Sequence, residues 1–388
     1  MNKPIYLDYN ATTPLDPRVF EAMLPYFKEE FGNSVSAAHS YGWNAEKAVE
    51  NSRAQVAQLL HCQPQEIFFT GGATESNNWV IRGLVDRIRR ETPNSPIEII
   101  SSPLEHSSVT KSLKWAESVG VKVHWIPVNS FGELNQNQLK SCLNEHTKLM
   151  SFMWVNNEIG TVNPMDELAK IAHENKIYLH SDATQALGKI PVNLETTKID
   201  LLSCSAHKIY GPKGIGALYI RSLQPKVQID PLLHGGGHEK GLRSGTVNVP
   251  SVVGFGKACE LLSQELEAET LKLQTLQKYF WQKVKAIFPM ARLNGPDIGV
   301  RVPNNLNVTF QGAQVPPTFI EIAVSRGSAC QSGLSSVSPV LKAIGVSDRD
   351  ADKTLRLSIG RWSHQLEIDA AVEVLKTQVS PSQNIASL

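Results

Sequence analysis

A chain of 388 residues, 41% hydrophobic and 19% charged, is long enough for a large core and for more than one domain, and its composition is that of an ordinary soluble globular protein. A formal net charge of +1 argues against nucleic acid or an acidic membrane surface as the main partner and leaves small molecules or proteins. The five cysteines, at 62, 142, 204, 259 and 330, show no Cys-x-x-Cys spacing, so neither a zinc site nor a disulfide framework is indicated and a reducing compartment fits. No run approaches the length of a membrane span, and the first residues lack the apolar core of a signal peptide, so the expected location is cytoplasmic.

From Glu66 to about Ile220, short β-type runs alternate with helical segments, the pattern of a mostly parallel sheet covered by helices. Glu66-Ile-Phe-Phe-Thr70 reads as a strand. Val80, Ile81, Leu84, Val85 and Ile88 then recur at helical spacing, so a helix begins near Gly71-Gly-Ala-Thr-Glu-Ser76. Further strands are expected over Ile97–Ser101, Val121–Ile126, Leu149–Trp154, Ile177–His180 and Leu201–Cys204. After Pro250 the apolar positions Leu262, Leu266, Leu273, Leu276, Phe280, Val284 and Ile287 predict one or two long helices leaving the first domain. Leu306–Phe310 and Thr354–Ser358 read as strands, Ile368–Gln378 as a closing helix, and Ser380–Leu388 as a loose tail. The expected fold class is α/β: a large domain over residues 15–255, and a smaller α+β domain formed by 1–14 and 256–388.

Candidate chemistry gathers where strands end. The run from Asp200 to Cys204 closes in Ser205, His207 and Lys208, and the carboxyl ends of strands are where open α/β sheets bind ligands. A partly desolvated lysine there offers a neutral amine to carbonyl groups, the chemistry that pyridoxal phosphate requires. The competing reading is a solvated loop lysine, and Lys213 in the following turn competes for the same role. That turn, Gly-Pro-Lys-Gly-Ile-Gly216, lacks the ending of a phosphate loop and the third glycine of a dinucleotide fingerprint.

Thr70-Gly-Gly-Ala-Thr-Glu-Ser76 opens a helix with free amides and the Thr74 hydroxyl, either a phosphate cradle or an ordinary cap. Asp182 ends a strand where a carboxylate could hold a pyridine nitrogen protonated, or merely cap a turn, and Gln185 follows within reach of a ring hydroxyl. His106, just after another strand, could stack on a flat ring or move protons, although a lone histidine is more often structural. Asn156-Asn-Glu-Ile-Gly160 likewise follows a strand and reads equally as a turn.

These motifs occur together and in one order: Gly-Gly-Ala-Thr-Glu-Ser, Val-Asn-Asn-Glu-Ile-Gly, Asp-Ala-Thr-Gln, Ser-Ala-His-Lys and Arg243-Ser-Gly-Thr246. With Tyr6-Leu-Asp-Tyr-Asn-Ala-Thr-Thr-Pro14 and Leu355-Arg-Leu-Ser-Ile-Gly-Arg361, the chain resembles the cysteine desulfurases among the class V, fold-type I pyridoxal-phosphate enzymes over almost its whole length. The resemblance implies that pyridoxal 5'-phosphate is bound covalently by Lys208, with Asp182 on its pyridine nitrogen, Gln185 on its ring hydroxyl and His106 stacked on the ring. Ala73, Thr74, Ser205 and His207 would hold the phosphate. Thr246 would reach it from a neighbouring subunit, which implies a homodimer. Asn157 and Arg356 would contact the L-cysteine substrate, and His106 would also carry a proton.

Cys330 lies in Ser325-Arg-Gly-Ser-Ala-Cys-Gln-Ser-Gly333, a polar, small-residue stretch in the loop of about 325–336. A thiol in such a stretch suits a nucleophile that carries its product away, whereas Cys62, Cys142, Cys204 and Cys259 suit small buried apolar residues. The resemblance gives Cys330 the sulfur as a persulfide, for iron–sulfur scaffolds or other sulfur-acceptor proteins, and a transient cluster contact is an option at the same residue. Gln331, Arg326 and a short Gly312–Ile320 segment depart from the family pattern. The rival readings are a related lyase acting on selenocysteine or cystine, an aminotransferase that does not use Cys330, and a weakly active protein that only presents sulfur.

Overall fold

Phe68 and Phe69 are neighbours in sequence, yet they enter different apolar cores, as do Ile99 and Ile100, Leu149 and Met150, and Leu201 and Leu202. A strand sends successive side chains to opposite faces, so such pairs mark a sheet buried on both sides. The computed structural model, which describes residues 3–223, 226–326 and 337–381, contains this sheet with seven strands. In chain order they are β1 (Ile67–Thr70), β2 (Glu98–Ser101), β3 (Lys122–Trp125), β4 (Thr147–Ser151), β5 (Tyr178–Asp182), β6 (Leu201–Ser205) and β7 (Gly216–Ile220).

Across the sheet the order is β1-β7-β6-β5-β4-β2-β3. Strand β7 runs antiparallel to both neighbours, and the other pairs are parallel. Six of the strands match the sequence expectation to within a few residues. Strand β7 was not singled out, because Gly216-Ala-Leu-Tyr-Ile220 is short, opens on weak β-formers and follows a turn that draws attention to itself.

Helices α1 (Ser40–Leu60), α2 (Ala73–Glu91), α3 (Ser107–Ser118), α4 (Met165–Glu174) and α5 (Val249–Ile287) close the layers. Val49 and Val56 of α1, Leu168 of α4, and Val252 and Phe255 of α5 cover one face of the sheet. Val80 and Leu84 of α2, with Val109 and Leu113 of α3, cover the other. The long segment after Pro250 is one helix of 39 residues, about 60 Å from end to end.

The second half of α5 enters a separate core. There Leu273, Phe280 and Val284 pack on Leu306, Val308, Leu355 and Leu357, and on Ile368 and Leu375 of α6 (Gln365–Gln378). The strands in this core are β8 (Arg292–Leu293), β9 (Asn305–Thr309) and β10 (Thr354–Ser358), antiparallel in the order β10-β9-β8. Ile5–Tyr6 pairs in parallel with Ile322–Ala323, and Asp8 bridges to Ser358. The first residues of the chain are thereby tied to β10 before they turn toward the large sheet.

Two local readings are corrected. Ser380–Pro381 is not part of a loose tail: it pairs antiparallel with Ala313–Gln314, which satisfies backbone groups on both segments, and residues 382–388 lie outside the described residues. Among the cysteines, Cys204 and Cys259 are fully buried in the first core, whereas Cys62 and Cys142 are only half-buried at its margin.

Candidate active site

Parallel strands end on one edge of a sheet, so residues just beyond their carboxyl ends converge whatever their separation in sequence. Here Gly72 to Thr74 after β1, His106 after β2, Asn157 after β4, Asp182 at the end of β5 and Ser205 at the end of β6 line one cavity of about 460 Å³. A single 3-10 turn over Ala206–Lys208 continues β6 and puts His207 and Lys208 on the same wall. Gln185 comes from the turn after β5, Arg356 from β10, and Asn10 to Thr12 from the N-terminal segment. Of the sequence candidates, Thr246 is exposed and does not line this cavity, and Cys330 lies outside the described residues.

The walls have distinct chemistry. At the start of α2, Gly72 has φ of 141°, which favours glycine, and no side chain caps the first turn. A Cβ on Gly72 would stand 3.7 Å from Ser205 Oγ, so the backbone of one strand end faces the hydroxyl of another. Such a turn with a facing hydroxyl suits an anion. His207 Nδ1 lies 3.0 Å from Thr12 Oγ1. Burial, together with Lys208, Lys213 and Lys189, pushes this imidazole down to about 3, so it is neutral at physiological pH.

Lys208 Nζ donates to the carbonyls of Asn10 and Ala11, each at 2.6 Å. Asn10 also accepts from Gln185 Nε2 at 2.9 Å, which leaves Gln185 Oε1 buried with no hydrogen-bond partner among the described residues. Thr184 Oγ1, another group of the cavity wall, is in the same condition. Buried acceptors and hydroxyls of this kind call for a polar ligand.

Asp182 is buried, and its carboxylate accepts from the Thr184 N–H at 3.0 Å and from Asn77 Nδ2 at 2.7 Å. The same Asn77 nitrogen donates to Ser108 Oγ at 2.9 Å, and Ser108 Oγ lies 2.8 Å from His106 Nδ1. His106 Nδ1 also accepts the Ser108 N–H as the cap of α3, which assigns the proton of the neutral ring to Nε2. One amide thus connects the carboxylate on the cavity floor to the imidazole on its side.

Against this geometry, the chain matches the family profile described as Aminotransferase class-V over residues 5–371. It is 43% identical to the cysteine desulfurase IscS of Rickettsia typhi over 388 residues, covering 99% of this chain and 93% of that protein. It is 42% identical to the cysteine desulfurase IscS of Neisseria meningitidis serogroup C, with 99% and 94% covered. The chain belongs to the cysteine desulfurases of the class-V aminotransferase family. Among solved structures, a NifS-like protein superposes with a TM-score of 0.86 at 35% identity, over 96% of this chain and 98% of that one. A second, described as SspA in complex with cysteine, gives 0.80 at 34% identity over 92% and 99%.

Several residues of this cysteine desulfurase that shape the site were not picked out from sequence. Asn77 follows Ala73 by one helical turn and is a fully buried polar residue on the core face of α2, a signal that the pattern of that helix contained. Asp8 pairs with the Arg356 guanidinium, and Asn10 joins Lys208, Gln185, Asn304 Nδ2 and the Asn157 carbonyl. Both lie in the Tyr6–Pro14 motif, but that motif does not give their contacts, because their partners lie in distant parts of the chain. Glu105 is buried beside His106, with Oε1 accepting the Met153 N–H at 2.7 Å.

Proposed function

We propose that this cysteine desulfurase carries pyridoxal 5'-phosphate on Lys208, takes free L-cysteine as substrate and releases L-alanine while leaving the sulfur as a persulfide on Cys330. The observation that carries the reading is the meeting of Lys208, Asp182, Gln185 and His106 in one cavity. The residues fit the cofactor: the orphaned Gln185 Oε1 and the uncapped turn at Gly72 offer a ring hydroxyl and a phosphate the partners they need. When bound, the cofactor stores the electron pair released at the substrate α-carbon.

Asp182, oriented by Asn77 and the Thr184 N–H, keeps a proton on the pyridine nitrogen. Ala73, Thr74, Ser205 and His207 hold the phosphate on the N-terminal side of α2, and His106 covers the ring. Arg356 and Asn157, both on the cavity wall, hold the substrate carboxylate. The Lys208 amine, once displaced by the substrate amine, takes the α-proton. His106 moves the proton of the substrate thiol.

Cys330 thiolate then attacks the substrate sulfur. The new S–S bond forms as the carbon–sulfur bond breaks, the bonding pair stays with carbon, and protonation of that carbon yields alanine. The persulfide passes to protein acceptors that serve iron–sulfur cluster assembly and other sulfur-transfer routes. Thr246, exposed here, contacts the phosphate of a second copy, so the working form is a homodimer. The division into a large domain, 15–255, and a small one, 1–14 with 256–388, is part of the same proposal; the separate cores on the two halves of α5 support it. No helix among the described residues is long and apolar enough to cross a membrane, and a cytoplasmic setting matches the reduced thiol that the reaction needs.

The test is alanine and sulfide release from L-cysteine with a reductant present, comparing wild type with Cys330→Ala. Both products from wild type and neither from the variant support the proposal. Equal activity would reassign the protein to a direct lyase that does not use Cys330.

A further inference from the structure

A second lysine is buried at a small cavity that Lys208 also lines. Lys189 is 5% exposed, and its Nζ has no hydrogen-bond partner among the described residues. It meets Lys208 at one small cavity, also lined by Tyr9, Thr13, Tyr210 and Glu269. The groups facing it come from every neighbouring element. The N-terminal segment supplies Tyr9, the turn after β6 supplies Lys208 and Tyr210, and α5 supplies Glu269.

Glu269 is the obvious counter-ion, but its carboxylate is taken by Arg361 Nε at 2.9 Å. Arg361 also stacks on the Tyr210 ring at 4.3 Å and binds Asp16 at 2.7 Å, so one guanidinium is shared between the two carboxylates. A fully buried amine and a half-buried one therefore meet at one small polar space, where the lining carboxylate, Glu269, is already engaged by Arg361. Like charges in low dielectric cannot both be held without a large penalty, so protonating either amine opposes protonating the other.

We propose that Lys189 and Lys208 are a coupled pair that shares one positive charge, with Lys189 a positioning residue that sets how readily the Lys208 nitrogen is protonated. The proposal rests on the reading of Lys208 as the cofactor lysine. When the Lys208 nitrogen loses its proton, the charge moves to Lys189, which keeps the Lys208 nitrogen a free base for proton removal. Burial first, and the Lys208 charge second, push Lys189 down to about 7, opposed by Glu269. That places its change of charge in the working range. The Lys189 charge also reaches His207 and helps to keep that imidazole neutral.

The experiment is a pH titration of the visible absorption of the cofactor-loaded protein in wild type, Lys189→Met and Lys189→Arg. The proposal expects the midpoint to rise by at least about half a pH unit in Lys189→Met, which removes the competing charge. In Lys189→Arg, which fixes that charge, it expects a midpoint at or below that of wild type. Equal midpoints in all three, or the same rise in Met and Arg, would overturn it.

A second measurement needs no cofactor and separates failure of this proposal from failure of the reading of Lys208. In cofactor-free protein a lysine with a lowered folded value costs stability below that value, and the penalty fades as pH rises toward the unfolded value. Lys189→Met should therefore raise the melting temperature more at pH 6 than at pH 9. That gain should shrink in a Lys208→Met background, where the repelling charge is gone. A gain at pH 6 that is unchanged by the loss of Lys208 would show two independent amines and overturn the coupling.

Discussion

Arg356 Nη2 lies 2.7 Å from Asp8 Oδ1, an ion pair that joins residues 348 apart in the chain. The guanidinium is almost fully buried, and its Nη1 donates to the Asn157 carbonyl at 3.1 Å. The two contacts fix the plane of the fork, and Nε is left buried without a hydrogen-bond partner among the described residues. Asp8 is therefore the residue that orients the guanidinium proposed to hold the substrate carboxylate.

Replacing Asp8 by Ala leaves a buried cation uncompensated, and the expected loss of stability is about 3 kcal/mol, read by denaturant melts. Asp8→Asn keeps the shape and an acceptor, so its expected effect is a rise in KM for L-cysteine larger than the fall in kcat. For Arg356→Gln the expected loss is about 1.5–3 kcal/mol of substrate binding, a KM increase of roughly ten- to a hundredfold. An unchanged KM in Arg356→Gln would remove this residue from the substrate site.

Asn77 is the joint between Asp182 and the Ser108–His106 pair. Its truncation to Ala leaves the Asp182 carboxylate with the Thr184 N–H and frees Ser108 to rotate. The expected result is a kcat lower by about tenfold or more, from about 1–3 kcal/mol of lost hydrogen bonding, with a shifted absorption of the bound cofactor. A normal spectrum with normal kcat would show that Asp182 is held well enough without it.

The strand-end candidates Asp182, Ser205, His207 and Lys208 were legible because a parallel sheet places strand ends together, and an apolar run closing in polar residues shows where they are. Asp8, Asn10, Asn77 and Lys189 were not legible in the same way. Asn10 acts on Lys208 and Gln185 from nearly two hundred residues away, and Lys189 sits in an ordinary-looking turn. Its burial is set by α5 and the N-terminal segment closing over it. Long-range packing decides such cases, and no local period records it. The direction of β7 belongs to the same class, since a short run carries no mark of parallel or antiparallel pairing.

Glu105 makes a prediction about pH. Burial, aided by the charge of Asp182 and opposed by the Met153 N–H, holds its carboxyl well above the usual carboxylate range. Above the unfolded value of about 4.3, the folded protein therefore keeps a proton that the unfolded chain has lost. Its contribution to stability falls as pH rises through that value. Glu105→Gln should remove the slope, so the variant gains on wild type between pH 4 and pH 8 in paired melts. A constant difference across that range would mean that Glu105 ionises normally in the folded protein.

Arg326 and the short segment before it are joined in the structure. Arg326 Nη2 donates to the Val315 carbonyl at 2.8 Å and to that of Pro316, and Nη1 donates to the Asp352 carbonyl at 2.6 Å. The arginine does the work of fixing a segment that has no helix of its own over Gly312–Ile320. Arg326→Ser should speed chymotryptic cleavage at Phe319 several-fold while leaving the absorption of bound cofactor unchanged. Cleavage at the wild-type rate would show that the strand pairing at Ala313–Gln314 holds the segment alone.

The most direct test of the central claim is the Lys208→Ala protein, purified with pyridoxal 5'-phosphate and assayed for its visible absorption and for alanine formation from L-cysteine. The account predicts that the absorption of lysine-bound cofactor disappears and alanine formation stops, because Lys213, the other amine on the cavity wall, does not take over its role. Alanine formed at a rate near that of wild type would contradict it and move the reacting lysine elsewhere, with Lys213 the first residue to examine.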